Sequence, residues 1–370
     1  MISGGIRLGR FFGFEVRLDA SWFIVFFLVL WTLAKAVFPE RHPGLGAEQY
    51  LVMGFAAAVL FFISVLLHEL AHSAVARASG IEVEGITLFI FGGVAKTRSE
   101  PRTPGEEFLI TVVGPLSSLV IGLAFLGLAR LGLRFGWPVV VTGVNSYLAL
   151  INFVLAAFNL IPGFPLDGGR IFRSIIWYVT GDLRAATRWA SVTGRVFGLL
   201  LVALGVLSLF RGAIIGGIWL ILIGWFLAQA AEASYRQLIL RRLLEEVRVS
   251  DAMMHGAETV DPELNLRDLV DDYFLKRRYS GFPVTDERGA LLGLVTLSQV
   301  KGVERGKWPL TRVGDVMTSV GEMAVVRPDD TLAAGLSQME STGVGRALVT
   351  VDGRLAGVIT RSDISRWLER

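Results

Sequence analysis

The sequence predicts a polytopic α-helical membrane protein followed by a soluble α/β module. Residues 1–235 are dominated by Leu, Val, Ile, Phe, Gly and Ala, whereas the rest of the chain has an ordinary charged composition. The mean hydropathy of +0.57 and the hydrophobic content of 53% arise from the first part and are typical of an integral membrane protein. The second part contains an internal repeat, so we expect domains at 1–235, 249–304 and 313–369, with a linker at 236–248.

Six membrane-spanning helices are predicted in the first part, because a helix needs about 20 apolar residues to cross a bilayer. The predicted spans are 20–38, 51–76, 108–129, 139–160, 190–210 and 212–231. A short membrane-associated β element is expected between the second and third spans.

Lys and Arg residues between the spans predict the orientation in the membrane. If the N-terminus is cytoplasmic, fourteen of them lie on the cytoplasmic side and five on the other side. The five are Lys35, Arg41, Arg130, Arg134 and Arg211. We therefore expect a multi-pass protein of the cell membrane whose two termini and C-terminal module are cytoplasmic.

The motif His68-Glu69-Leu70-Ala71-His72 lies near the end of the second predicted span. Histidines four residues apart on a helix point about 40° apart and can hold one metal ion, with the glutamate beside it. The two histidines lie roughly 7–14 Å from the cytoplasmic end of the helix, inside the bilayer. A polar patch that packs helices together is the simpler explanation. However, ionisable groups at this depth are costly and usually functional, so the motif favours a zinc hydrolase.

A third metal ligand must come from elsewhere, because a catalytic zinc ion takes three protein ligands and leaves one position for water. The chain has no cysteine, and His42 and His255 lie in an outer loop and in the polar C-terminal part. Asp167 is the better candidate, since it follows the fourth span where Pro162 and Pro165 interrupt regular helix. An aspartate at an ordinary membrane-exit turn is the alternative.

Three asparagines, Asn145, Asn152 and Asn159, recur at seven-residue spacing and drift only about 20° per step around the fourth span. We expect this stripe to face the interior of the helix bundle. Interhelical hydrogen bonding is the simpler role for the first two. Asn159 lies nearest Asp167 and could donate a hydrogen bond to a developing oxyanion.

These motifs together resemble the site-2 protease family of intramembrane zinc metalloproteases. The matching features are the His68–His72 motif, the step Gly114-Pro115-Leu116 that opens the third span, and the segment NLIPGFPLDGG at 159–169. The resemblance covers residues 10–235 and implies cleavage within or near the transmembrane segments of single-pass membrane proteins.

The resemblance also implies a role for each matching residue. His68, His72 and Asp167 would bind one Zn²⁺ ion. Glu69 would be the general base and later the proton donor, and Asn159 would stabilise the tetrahedral intermediate.

A substrate-binding strand is implied at Gly92-Gly93-Val94. The residues before it, 87–91, have the apolar and β-branched composition of a strand. Such an element could pair edge to edge with an extended substrate.

The C-terminal part repeats itself at an offset of 64 residues. The sequence VSDAM that begins at Val249 matches VGDVM at Val313, and GLVT at Gly293 matches GVIT at Gly357. Two matches at one offset indicate a true repeat, in which each copy is predicted as helix, strand, strand, helix.

The repeat resembles tandem CBS domains, which commonly bind adenine nucleotides and often dimerise. Turns between strands are expected at Gly289 and Gly353. The resemblance implies that Thr360 and Asp363 contact the phosphate and ribose of ATP, ADP or AMP. In the first copy Gln299 stands where the acid belongs, so ribose binding is not expected there. A purely structural dimerisation module is the alternative.

Two further functions compete with the protease. A transporter or channel regulated by the CBS pair would explain the intramembrane charges and the repeat, but not an HExxH motif with a downstream aspartate. A catalytically silent scaffold would not need the four intact site residues. The net charge of +3 is small, and no nucleic-acid partner is expected. The expected partners are the lipid bilayer, a membrane-protein substrate, a nucleotide and a second copy of the chain.

Overall fold

The protein forms two compact units in the computed structural model, Met1–Arg236 and Gln237–Arg370. The structure describes residues 5–90, 92–97, 99–277 and 279–368, so Phe91, which falls in the predicted strand, and position 369 lie outside the described residues. The helices of the first unit are α1 (Ala20–Thr32), α2 (Phe38–Arg41), α3 (Ala47–Ala78), α4 (Pro104–Arg134), α5 (Val139–Asn159), α6 (Asp167–Thr180), α7 (Leu183–Phe210) and α8 (Ile214–Glu246). A π-helical turn, Leu33–Val37, joins α1 to α2.

In the described part of the chain, six helical segments are long and apolar enough to cross a membrane, which confirms the predicted number. They are Ala20–Arg41, Ala47–Ala78, Pro104–Arg134, Val139–Asn159, Leu183–Phe210 and Gly216–Glu246. α7 begins earlier than predicted because the Asp182 side chain caps its N-terminus. This side chain accepts hydrogen bonds from the backbone N–H groups of Arg184 and Ala185. α8 continues to Glu246, through most of the stretch predicted as a linker, since no proline or glycine interrupts it there.

Small residues let α7 and α8 pack with their backbones close together. A Cβ atom on Gly198 would lie 2.6 Å from the carbonyl oxygen of Gly224, and one on Gly205 would lie 2.7 Å from that of Gly217. Close approach at small residues is a common basis of helix association in membranes, where no hydrophobic force distinguishes helix from lipid.

A four-stranded sheet accompanies the helices of the first unit. Its strands are β1 (Ile6–Phe11), β2 (Phe14–Leu18), β3 (Val83–Phe89) and β4 (Gly92–Thr97), in the order β1-β2-β3-β4. The prediction of a strand before the paired glycines is confirmed for residues 87–89, which end β3. The glycines themselves open β4, which is antiparallel to β3 and forms one edge of the sheet.

The second unit contains both copies of the repeat. Its elements are β5 (Met254–His255), α9 (Leu266–Asp268), β6 (Gly281–Thr285), β7 (Leu291–Thr296), α10 (Leu297–Lys301), α11 (Val313–Val316), β8 (Thr318–Ser319), β9 (Ala324–Val326), α12 (Leu332–Ser341), β10 (Arg346–Val351), β11 (Arg354–Thr360) and α13 (Arg361–Leu368). They form two sheets, β5-β11-β10-β9 and β6-β7-β8. The predicted turns are confirmed, since Gly289 and Gly353 have φ angles of 77° and 78° between their strands.

The two copies exchange their leading strands. β5, from the start of the first copy, pairs with β11 of the second, with Met254 opposite Val358. β8, from the start of the second copy, pairs with β7 of the first, with Thr318 opposite Leu294. The residues of one pair are shifted by 64 positions from their counterparts in the other, so the two copies are related by an internal pseudo-twofold axis.

Candidate functional site

Three potential metal ligands meet between α3 and α6. The Nε2 atoms of His68 and His72 lie 3.0 Å and 3.2 Å from Oδ2 of Asp167, and 3.2 Å from each other. Both histidines are buried, and the aspartate is largely buried. Asp167 lies 99 positions after His68 and 95 positions after His72 in the sequence, so the fold brings together residues that are distant along the chain.

The spacing of these atoms fits a zinc ion. Three ligands at about 2.0–2.1 Å in a tetrahedral arrangement lie about 3.3 Å from one another, close to the observed separations. Two imidazoles and one carboxylate are also a common set for a zinc site that keeps a position open for water. The donor atoms therefore suit Zn²⁺ in both chemistry and geometry.

Helix α4 orients both histidine rings. Nδ1 of His72 donates a hydrogen bond to the carbonyl oxygen of Ile110 at 2.6 Å, and Nδ1 of His68 lies 2.9 Å from the hydroxyl oxygen of Ser118. A carbonyl can only accept, so the proton of neutral His72 sits on Nδ1 and its Nε2 lone pair faces the aspartate. Such outer contacts fix the ring orientation and tautomer of metal-binding histidines.

Gly114 allows α4 to approach the histidines. A Cβ atom at this position would lie 2.1 Å from Nε2 of His72 and 2.8 Å from Nε2 of His68. No side chain can therefore be accommodated between α4 and the ligand pair. The Gly114-Pro115-Leu116 step lies well inside α4 instead of opening the span, because α4 begins at Pro104.

A tight turn between α5 and α6 carries Asp167 to the histidines. Asp167 is the first residue of α6, and Leu166 precedes it in an extended conformation. Glycines allow the turn to close: a Cβ on Gly168 would lie 2.3 Å from the backbone of Leu160, and one on Gly194 of α7 would lie 2.0 Å from the carbonyl oxygen of Phe164. The end of α5 and helix α7 therefore constrain the path of the chain that leads to Asp167.

Glu69 faces the edge strand β4. A Cβ atom on Gly93 would lie 2.3 Å from Cγ of Glu69 and 3.2 Å from its Oε1 atom. Glu69 itself is half-buried, between its two buried histidine neighbours. The predicted base and the predicted substrate strand are thus in van der Waals contact.

The predicted asparagine stripe is buried only at its centre. Asn152 is fully buried and donates hydrogen bonds to the carbonyl oxygen of Leu148 and, across the helix interface, to Ser64 Oγ at 3.3 Å. Asn145 is half-buried and bonds within its own helix. Asn159 is half-buried at the last residue of α5, and its catalytic role stays a prediction.

A second pocket lies between the two copies of the repeat. Its lining includes Thr360 and Asp363, as predicted for a ligand site, together with Glu258, Ser280 and Arg346. Oδ2 of Asp363 accepts hydrogen bonds from the backbone N–H and the hydroxyl of Thr360 at 3.0 Å and 2.7 Å. The two predicted residues therefore form one unit at the start of α13.

Arg346 is the positive group of this pocket. Its side chain is half-buried, and burial lowers the pKa of its guanidinium. Within the described residues no carboxylate forms an ion pair with it, since Glu258 pairs with Arg277, and Asp363 with Arg366. Ser280 accepts its one side-chain hydrogen bond, at 3.3 Å.

The equivalent position in the first copy lacks these features. At the 64-residue offset, Phe282 replaces Arg346, Val344 replaces Ser280 and Gln299 replaces Asp363. Phe282 is 1% exposed and packs in an apolar core, and Val344 packs against another apolar cluster. The Gln299 amide accepts from the Thr296 backbone and donates to the Thr318 hydroxyl, so its hydrogen-bonding groups are occupied.

Comparison with known proteins places this geometry in a family. The model of peptidase family M50 matches residues 56–135 and 137–204, and the CBS domain model matches 249–304 and 313–370. A relative from Mycobacterium tuberculosis named zinc metalloprotease Rip3 is 38% identical over 98% of this chain and 93% of its own length. The chain belongs to peptidase family M50. It is a zinc metalloprotease of the site-2 protease family and a multi-pass membrane protein with two CBS domains.

Two further M50 proteins are similar along most of their length. A zinc metalloprotease homologue from Synechocystis sp. is 35% identical over 100% of this chain and 96% of its own. The solved site-2 protease from Methanocaldococcus jannaschii is 31% identical, covers 63% of this chain and 95% of its own, and superposes with a TM-score of 0.43.

Several residues of the M50 site were not predicted from their chemistry. Ser118 and the carbonyl of Ile110 contact the histidines, yet a serine and an ordinary backbone group in an apolar span carry no sequence signal. Glu107, in the first turn of α4, is a buried carboxylate of the same unit that the sequence analysis did not single out. In the CBS pair, Glu258 and Ser280 belong to the first copy and line the pocket of the second only once the two copies are packed together.

Proposed function

We propose that this metalloprotease hydrolyses peptide bonds within or near the transmembrane segments of membrane-tethered proteins. The observation that carries the proposal is that Asp167, at the start of α6, meets His68 and His72 of α3, a helix long and apolar enough to cross a membrane. The two histidines precede the end of α3 at Ala78 by about 15 Å and 9 Å along the helix axis. A site at this depth can act on a peptide bond that lies inside the bilayer.

His68, His72 and Asp167 would hold one Zn²⁺ ion. Bound there, zinc supplies a Lewis acid that polarises the scissile carbonyl and lowers the pKa of a water molecule. The chain fixes the site by holding both Nδ1 atoms with α4, so that both Nε2 atoms face the carboxylate. These contacts limit the rotation of the rings that ligand exchange would require.

Glu69 would accept the proton of the attacking water and return it to the leaving amine. The glutamate follows His68 directly in sequence and lies against the backbone of β4, so it can reach a peptide bound along that strand. Asn159 would donate a hydrogen bond to the developing oxyanion, since an amide N–H is suited to that role and the residue ends α5 just before the turn to Asp167.

The substrate would bind as an extended strand beside β4. Among the described residues this strand pairs with β3 alone, so its outer edge is suited to pair with a peptide. Because Gly92 and Gly93 have no side chains, β4 and a peptide paired with it can lie close to Glu69. A helical substrate would have to unwind locally, because an intact helix uses its own carbonyl groups in hydrogen bonds.

The CBS pair would bind one adenine nucleotide per chain in the pocket of Thr360 and Asp363. An unpaired, half-buried cation such as Arg346 favours an anionic ligand, and phosphate matches a guanidinium well. Asp363 would accept hydrogen bonds from the ribose hydroxyl groups. Binding at this site would modulate proteolysis from the cytoplasmic side, which is the side that the charge bias of the loops predicts for the module.

Co-expression with a tagged single-span membrane protein tests the protease. We expect a cleavage product that disappears in Glu69→Gln, because a positioned general base contributes about 10²–10⁴-fold to rate. Glu48→Gln is the matched control, since Glu48 is exposed on the same helix. Cleavage that persists in Glu69→Gln would contradict the proposed mechanism, and a CBS-regulated transporter would give no product in any variant.

A further inference from the structure

Helices α4 and α6 are joined by a buried ion pair outside the group of metal ligands. The Glu107 side chain in the first turn of α4 is 0% exposed, and the Arg173 side chain on α6 is 12% exposed. Nε of Arg173 donates to Oε1 and Oε2 of Glu107 at 2.9 Å and 3.1 Å, and Nη2 also donates to Oε1. Arg170 approaches the same carboxylate at 3.6 Å.

This contact is directional and therefore suited to positioning. A guanidinium that donates through two nitrogens to one carboxylate fixes both distance and orientation. The guanidinium also lies over the ring of Phe164 at 5.1 Å, in the turn that leads to Asp167. Arg173 thus contacts both α4 and the approach to the third ligand.

The pair connects the two helices that complete the site. α4 holds both histidines through Ile110 and Ser118, whereas α6 begins with Asp167. Arg173 lies six residues after Asp167 on α6, and Glu107 lies three residues before Ile110 on α4. A shift of one helix along the other would therefore move the carboxylate relative to the imidazoles.

We propose that Glu107 and Arg173 are positioning residues that set the distance between Asp167 and the two histidines. This proposal rests on the assignment of those three residues as zinc ligands. The pair acts through the ligands, and neither residue touches substrate or metal. Loss of the pair should weaken zinc binding about 10–100-fold, the usual effect of changing an outer contact of a metal site.

The test is zinc affinity of the full-length protein, measured by chelator competition in detergent, together with the thermal unfolding of the zinc-free form. The variants are Glu107→Gln, Arg173→Lys and the neutral pair Glu107→Gln with Arg173→Met. The double variant removes both charges of the buried ion pair and leaves nearby only Arg170, whose side chain is 34% exposed, so it should recover thermal stability yet still bind zinc weakly. Arg173→Lys keeps the charge without the fork and gives a readout if Glu107→Gln does not fold.

Glu106→Gln is the matched control, because Glu106 is the neighbouring glutamate of the same turn and accepts from the backbone N–H of Arg102 instead of from Arg173. Zinc affinity within twofold of the parent in the folded variants would overturn the proposal. The proposal would also be overturned if the double variant recovered its zinc affinity together with its thermal stability. If the parent binds zinc equally well after His68→Ala, the ligand assignment itself fails, and that outcome is distinct from a failure of the positioning role alone.

Discussion

The candidate metal cluster and the proposed nucleotide pocket differ in how many of their polar groups already have partners. At the cluster, each histidine is held at Nδ1 by α4 and faces Asp167 through Nε2. In the pocket, Arg346 is half-buried and pairs with no carboxylate of the described chain. The cluster is therefore assembled by the fold, whereas the pocket is left to be completed by a ligand. Changes to the first should act through geometry, and changes to the second through charge.

The largest expected effect is the loss of zinc on removal of a ligand. His68→Ala should bind zinc at least 100-fold more weakly, beyond the range for outer contacts, because one of three protein ligands is gone. Metal analysis of the purified protein should fall from about one zinc per chain to none. His42→Ala is the control, since His42 lies at the end of α2 and outside the cluster. Zinc retained in His68→Ala would contradict the assignment of His68 as a ligand and therefore the description of the cluster.

A single methyl group tests whether the cluster depends on geometry. Gly114→Ala places a Cβ against both histidine Nε2 atoms, so rings or helix must shift, and zinc affinity should fall about 10–100-fold. Gly127→Ala is a matched control on the same helix, because nothing lies within 4 Å of a Cβ there. Equal zinc affinity in the two variants would show that α4 does not constrain the ligands.

Charge should dominate in the pocket. Arg346→Ala should weaken binding of ATP, ADP or AMP about 10–100-fold, the range expected for a hydrogen bond to a charged group. Arg346→Lys should lose less, because it keeps the charge without the planar fork. Calorimetry of the full-length protein measures both. A nucleotide that binds the parent and Arg346→Ala equally well would place the phosphate elsewhere.

The smallest expected effect concerns the first copy of the repeat. Gln299→Asp restores the acid that the CBS resemblance expects, yet the stoichiometry should remain one nucleotide per chain. Phe282 and Val344 still fill the positions where Arg346 and Ser280 lie in the working pocket. Two nucleotides per chain in this variant would mean that the acid alone decides occupancy.

The sequence predicted what is carried by residue type and short spacing. The proposed ligands His68 and His72 belong to a local motif, and Asp167 could be proposed because the chain has no cysteine and its other two histidines lie elsewhere. The approach of Gly114 to these histidines depends on the packing of α4 against α3, which no local pattern encodes. The start of α7 was predicted late for a similar reason, because its first turn is amphipathic and is fixed by the Asp182 cap.

The exchange of leading strands explains the remaining gap. Thr360 and Asp363 lie in one segment and were predicted together. Glu258, which follows β5, and Ser280, which precedes β6, lie in the other copy and line the same pocket because the two copies pack together. A pocket composed from two repeats is visible only once the pairing of strands between them is known.

The asymmetry of the CBS pair has a consequence for how proteolysis could follow the nucleotide level of the cell. Because Phe282, Val344 and Gln299 replace three lining residues of the pocket at the equivalent position, we expect each chain to bind one nucleotide. A single chain should then respond along a hyperbolic curve, with about an 81-fold rise in free ligand between one-tenth and nine-tenths occupancy, as simple mass action requires. Any steeper, switch-like dose response would have to arise between chains, and its Hill coefficient would report how many of them act together.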